Sequence, residues 1–268
     1  MRSSIIYSSL ISCLAAVTAA QTTPVWETLP PTPQLPGNPA GTLTEINGVK
    51  IWHAELGTAV DGQVPVLMLH GGFGNSDYYG DVVKSLMAKH QVIVMDTRGH
   101  GRSTMDSTPF TYELYASDAS ALLETLGIAK AAWHAGRARL RLRRGHNPQS
   151  TNATFSSSAT YAAFIGRATK EYAALQPNGD LKAFAAAVET LESTQPNWTE
   201  ADFARIKLGA KVTIADGQYE EAVVLAEPAL LNSWIVGSQR VTLTNVSHFA
   251  PLQDPDQFAA KVEEFLSA

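Results

Sequence analysis

Residues 66–103, VLMLHGGFGNSDYYGDVVKSLMAKHQVIVMDTRGHGRS, contain two short apolar runs, each ending in a glycine-rich turn. Val66 to Leu69 runs into His70-Gly71-Gly72, and Val92 to Met95 runs into Asp96. An apolar run without polar alternation suits a strand covered on both faces, the condition of a parallel sheet flanked by helices. Parallel neighbours need a crossover. Residues 78–90 supply one, with Val82, Val83, Leu86 and Met87 at helical spacing. The stretch predicts a β-α-β unit, and with it an α/β fold on a mostly parallel central sheet. Ligands of such sheets bind at the carboxyl ends of the strands, so the two turns are where chemistry is expected.

Gly71, Gly72 and Gly74 permit a tight turn whose amides are free to point at an anion. Alone, this is also what a plain turn looks like. The second turn, Asp96-Thr97-Arg98-Gly99-His100-Gly101-Arg102-Ser103, adds specificity. Together the two resemble the α/β-hydrolase family, which carries an H-G-x turn after its third strand and a D-x-R-G-x-G-x-S turn after its fourth. The resemblance implies the α/β-hydrolase fold: a mostly parallel central sheet, helices on both faces and a small helical lid.

The 268 residues suit one domain, and 45% hydrophobic content is enough for a sizeable core. The formal charge of −5 does not point to nucleic acid. Residues 1–20 read as a secretory signal, with Arg2 as the basic start, Ile5 to Val17 as the apolar stretch and Thr18-Ala19-Ala20 as the cleavage site. A secreted, extracellular protein is therefore expected, without a membrane span. The single cysteine, Cys13, lies inside that signal, so the mature chain is expected to hold no disulfide. Residues 21–41 form a proline-rich extension, read as an extended lead-in rather than core. The hydrolase-type domain then spans 42–268. It opens with strands at 42–46 and 49–56 joined by Asn47-Gly48, a strong hairpin signal. His53, alone in the second strand, reads as structural.

Residues 109–127 predict a helix with Thr111 as its cap, an apolar stripe through Tyr115, Ala119, Leu122, Leu123 and Leu126, and Gly127 at its end. Residues 128–133 lead into a fifth strand. In the family that strand ends in G-x-S-x-G, a strained elbow that exposes the nucleophilic serine above the sheet. No G-x-S-x-G occurs in the chain; Gly101-Arg102-Ser103-Thr104-Met105 comes nearest and lacks the second glycine. The sequence instead continues through residues 134–146, where positions 137–144 hold five arginines. As a central strand this segment would bury charges without partners in view. The family would also place a helix and a sixth strand here, and 13 residues between Trp133 and Asn147 are too few for both. Three readings follow. The segment is not the native product, through a missed intron boundary or a frameshift; or the protein has kept the fold and lost the chemistry; or a basic loop binds an anionic partner.

Residues 151–208 are helical in pattern, with helices expected at 162–175, 181–191 and 199–207, the last with a capping box of Thr199 and Asp202. By resemblance they form the lid. Asn152, Asn197 and Asn245 begin glycosylation sequons, the last in a position where occupancy is doubtful.

A buried-type strand at 211–215 leads to Asp216-Gly217-Gln218-Tyr219-Glu220-Glu221. The family's G-x-x-D spacing lands on Glu220, which the resemblance makes the triad acid, with Asp216 as fallback. Solvated turn residues are the plain alternative for both. A helix interrupted near Pro228 is expected over 221–235, and a last strand over 240–243. His248 follows that strand, and Asp254-Pro255 opens the final helix. That arrangement resembles the family's catalytic-histidine loop. By resemblance the chemistry is acyl transfer from an ester-type small molecule to water. His248 would be the general base, Glu220 its orienting acid, and an amide of Gly72 or Phe73 would stabilise the oxyanion. The nucleophile's slot is empty, so the chain as written is expected to be inactive, or to be a non-catalytic small-molecule-binding protein. No cofactor or metal is implied by any spacing in the sequence.

Overall fold

The structure, a computed structural model, describes residues 23–135, 154–207 and 211–267. The proposed signal, most of the arginine-rich segment and the Asn152 sequon lie outside the described residues.

The chain enters the sheet by a hairpin. Strands β1 (Thr42–Ile46) and β2 (Val49–Leu56) pair antiparallel with Ile46 opposite Val49. The turn works because Asn47 (φ 47°) and Gly48 (φ 82°) both take the left-handed region. β3 (Val66–Leu69) is followed by helix α1 (Gly80–Leu86), shorter than the 78–90 span predicted, because a 3-10 turn over Ser76–Tyr79 takes its first residues. β4 (Val92–Met95) lies parallel to β3 and antiparallel to β2, and β5 (Ala132–Ala135) lies parallel to β3 on its other side. The order is β1-β2-β4-β3-β5.

The unbroken apolar runs are explained by two covered faces. Val66, Met68, Val92 and Val94 pack into one cluster with Val82, Val83 and Leu86 of α1 and with Phe258. The alternate residues Leu67, Ile93 and Met95 pack on the other face against Ala119, Leu122 and Leu123 of α2 (Tyr112–Thr125). Both sides of each strand are dry, so neither can carry polar alternation.

The stretch expected to form a lid holds α3 (Ala159–Leu175), α4 (Leu181–Thr194) and a four-residue turn of helix, α5 (Glu200–Phe203). The expected helix over 199–207 is therefore reduced to its first turn, although its Thr199–Asp202 capping box is formed. β6 (Thr213–Gly217) extends to Gly217, which puts Asp216 in the strand rather than in the turn after it. α6 (Glu227–Trp234) holds Pro228 in its first turn instead of being interrupted by it, since proline fits the first helical turn and not the interior. β7 (Gln239–Leu243), α7 (Ala250–Gln253) and α8 (Pro255–Leu266) complete the chain, with Asp254 capping α8 through Gln257 N.

Among the described residues the sheet is in two pieces: β6 pairs in parallel with β7, and no ladder joins β6 to β5. The sequence that would supply an intervening strand runs through residues 136–153, outside the described residues.

The proline-rich extension contributes to the core, contrary to its reading as a lead-in. Leu35 is 3% exposed and belongs to the main cluster with Trp52 and Tyr79.

Candidate active site

The second glycine turn is built around Asp96, fully buried at the end of β4. Its Oδ1 accepts from Ser76 N (2.7 Å) and Ser76 Oγ (2.6 Å); its Oδ2 accepts from Arg102 N (2.8 Å) and Arg102 Nη1 (3.1 Å). Gly101 sits at φ 51°, and a Cβ there would meet Asp96 Oδ2 at 2.2 Å. Ser103 Oγ donates to Asp96 O (2.6 Å) and accepts from Trp52 N (2.8 Å). Ser103, the nearest match to an elbow serine, is thus fully buried and committed to structure. Arg98, 1% exposed, reaches down to Asp118 on α2 with two bonds of 2.9 Å. Most polar residues of the motif therefore hold the turn itself.

His70 locks the first turn to the second. Its Nε2 accepts the Thr97 N–H at 3.0 Å, so the ring proton is on Nδ1 and is donated to Gly71 O at 2.8 Å. Burial pushes the His70 pKa down, with only partial relief from Asp96, and the ring stays neutral. Past it, Phe73 has φ 58°, an unusual conformation for a side chain of that size. Among the described residues the N–H groups of Gly72 and Phe73 meet no acceptor. Within the described residues these two amides are unengaged donors, as an anion site requires.

Glu220 and His248 are brought together from the ends of β6 and β7. Glu220 Oε1 lies 2.9 Å from His248 Nδ1. The same oxygen accepts from Ala222 N (2.8 Å) and Val223 N (3.0 Å). The Glu220 side chain is 1% exposed, whereas that of His248 is 28% exposed. An ionised carboxylate only accepts, so it holds the imidazole with the proton on Nδ1 and the lone pair on Nε2. Asp216, buried inside β6, is not the residue facing the ring.

Glu221 escaped sequence reasoning. Its Oε2 accepts the His248 N–H (3.0 Å) and its Oε1 accepts from Ser247 Oγ (3.0 Å), which fixes the backbone of the histidine loop. Burial pushes its carboxyl above the usual range, and the His248 N–H offsets that rise only in part. Only its adjacency to Glu220 hinted at a paired role. Asp118 was missed too, although a carboxylate inside the apolar stripe of α2 signals a buried cation.

A cavity of about 400 Å³ opens between α3 and α4, and of the groups above only Phe73 lines it. Phe73 forms part of its wall with Tyr161, Ile165 and Phe184, and Lys182 and Glu189 add charge. Tyr161 contacts Phe155 at 5.2 Å, and Phe155 contacts the His248 ring at 5.8 Å. One aromatic wall therefore runs from the cavity to the histidine. Among the described residues no cluster of His, Cys, Asp and Glu could hold a metal ion, and no helix is long and apolar enough to cross a membrane.

A family model described as alpha/beta hydrolase fold matches residues 64–136. A non-heme chloroperoxidase of Streptomyces lividans is 36% identical over 97 residues, which are 36% of this chain and 34% of that protein. A bifunctional esterase/perhydrolase of Acinetobacter calcoaceticus is 32% identical over 98 residues, 36% of this chain and 34% of that protein. The chain thus spans about a third of the length of these relatives. Among solved structures, a bromoperoxidase from Bacillus anthracis superposes with a TM-score of 0.68 at 16% identity, covering 85% of this chain and 100% of the other. An esterase from Exiguobacterium antarcticum gives 0.67 at 16% identity with the same coverage.

Proposed function

We propose that this chain, which has the α/β-hydrolase fold, carries the base-and-acid half of a secreted ester hydrolase and, as written, lacks the nucleophile that would make it turn over. The observation that supports this reading is the 2.9 Å contact between His248 Nδ1 and the buried Glu220 carboxylate, itself held by two amides. In a complete site the Nε2 lone pair takes a proton from a serine hydroxyl as it attacks an ester carbonyl, and returns it to the leaving alcohol. Glu220 keeps the ring in that tautomer and stabilises the imidazolium. The amides of Gly72 or Phe73 hold the oxyanion, together with the amide after the nucleophile.

Without G-x-S-x-G, both the serine and the second oxyanion amide are lost from this scheme. Removing a triad serine alone costs on the order of a million-fold in turnover. The full chain is expected to hydrolyse p-nitrophenyl acetate and butyrate no faster than buffer. Hydrolysis above background that disappears in His248→Ala would overturn this. Sequencing the transcript across codons 130–150 decides the origin of the arginine run: a restored G-x-S-x-G after Trp133 would make the native protein an ordinary hydrolase.

A second reading, a non-catalytic small-molecule-binding protein, is favoured by the cavity between the lid helices. It predicts one-to-one binding of a small apolar probe such as anilinonaphthalene sulfonate, with the probe recovered unchanged and His248→Ala without effect.

A further inference from the structure

The proline-rich segment does more than cover the core. From Trp26 to Leu29 its contacts fall on residues that flank His248 and Glu220. Trp26 stacks on Tyr219, the residue before Glu220, with ring centroids 4.1 Å apart and planes 14° from parallel. Leu29 packs into a cluster with Phe155, Ala222 and Phe249. Ala222 donates its N–H to Glu220, and Phe249 follows His248.

Gln253 joins the segment to the histidine loop. Its Nε2 donates to Thr28 O (2.8 Å) and to Ser247 Oγ (3.0 Å), and its Oε1 accepts the Ser247 N–H (2.7 Å). Ser247 Oγ passes its own proton to Glu221, which accepts the His248 N–H. A continuous hydrogen-bonded path therefore runs from the Thr28 carbonyl through Gln253, Ser247 and Glu221 to the backbone of His248. The Gln253 amide also reaches Trp26 O at 3.5 Å, so it bridges the segment and the histidine loop through several bonds at once, which fixes the loop against the segment. The far end of the segment is tied to the lid: Arg167 donates to Pro30 O, and Thr32 Oγ1 donates to Glu171 Oε1 at 2.5 Å.

We propose that residues 25–32 are a brace for the His248–Glu220 pair, with Trp26 and Gln253 as positioning residues. Neither touches the imidazole. Trp26 steadies the acid loop from outside, and Gln253 steadies the histidine loop from below. A half-exposed ring stack and a buried amide bridge act on the two partners separately, which is what holding a contact across two loops requires. The proposal rests on the pairing of His248 with Glu220 and not on turnover, so it stands or falls independently of the hydrolysis assay.

The test is the low-field proton resonance of His248 Nδ1–H, which reports its bond to Glu220 directly. The full chain, Trp26→Ala, Gln253→Leu and Leu35→Ala are compared by NMR, with thermal unfolding recorded for each. Leu35→Ala removes core packing from the same segment, away from the pair. The resonance is expected to be lost by exchange in Trp26→Ala and Gln253→Leu, to persist in Leu35→Ala, and to return in Trp26→Phe, which keeps the stack. Trp26 is only partly buried whereas Gln253 is buried, so the Trp26 variants are expected to retain the fold even where Gln253→Leu does not, as the unfolding curves check. Persistence of the resonance in Trp26→Ala would overturn the proposal. So would its loss in a folded Leu35→Ala, which would reduce the brace to general stability.

Discussion

Glu220 and His248, 28 positions apart, meet through a single carboxylate oxygen that also takes two backbone amides. That oxygen is both the orienter of the ring and the closing bond of its own turn. The two jobs separate by substitution. Glu220→Ala strands the N–H groups of Ala222 and Val223, both in buried residues, and is expected to cost about 2–4 kcal/mol of stability. Glu220→Gln keeps an acceptor oxygen and is expected to cost about 1 kcal/mol, for loss of charge alone. Urea unfolding at neutral pH measures both. Equal losses would mean that the amides do not depend on this side chain.

Arg98 and Asp118 form a buried ion pair with two 2.9 Å bonds, at 1% and 0% side-chain exposure. Arg98→Met leaves the Asp118 charge without its cation and is expected to cost about 3–5 kcal/mol. The double variant Arg98→Met with Asp118→Leu is expected to regain most of that, because the pair's desolvation is relieved with its attraction. A double variant no more stable than Arg98→Met would refute this account.

Gly101 and Gly72 look alike as turn glycines and are expected to respond differently. At Gly101 a methyl group would need φ 51° and would strike Asp96, whose carboxylate is held by four bonds; Gly101→Ala is expected to cost about 2 kcal/mol or more. At Gly72 the collision is with Glu192 Oε1, the end of a long side chain on α4. Gly72→Ala is therefore expected to cost about 1 kcal/mol or less. Melting temperatures in one buffer rank the two.

His100 sets an acid limit on stability. Burial among Phe110, Tyr115 and Phe184 lowers its pKa to about 3. The ring stays neutral in the folded state while the unfolded chain takes up a proton near 6.5. Stability is therefore complete above that pH and falls as pH drops from 6.5 toward 3, by at most about 1.4 kcal/mol per pH unit for this one group. His70, whose pKa is lowered by burial, adds in the same direction. His100→Phe fits the aromatic cluster and is expected to flatten the slope between pH 6.5 and 4. An unchanged slope in denaturant midpoints would rule out His100 as the source.

The hairpin, the two glycine turns and the parallel runs of β3 and β4 were legible in the sequence because each rests on local chemistry. Asn47-Gly48 can take left-handed backbone, Val66–Leu69 and Val92–Met95 have no face for water, and the turn motif fills its own hydrogen bonds. His248 and Glu220 were singled out only through the family resemblance, and the structure brings the two together at 2.9 Å. Tertiary structure alone decided what holds them. Glu221, Gln253 and Trp26 act on the pair through contacts of 27, 6 and 193 positions' separation respectively, to His248, Ser247 and Tyr219. Asp118 becomes a buried counter-ion only because Arg98 descends onto it from a neighbouring strand's turn. Local pattern records what a residue does to its own backbone. It carries no record of which distant side chain will share its desolvated space, and that partner determines whether a buried polar group stabilises the fold or disrupts it.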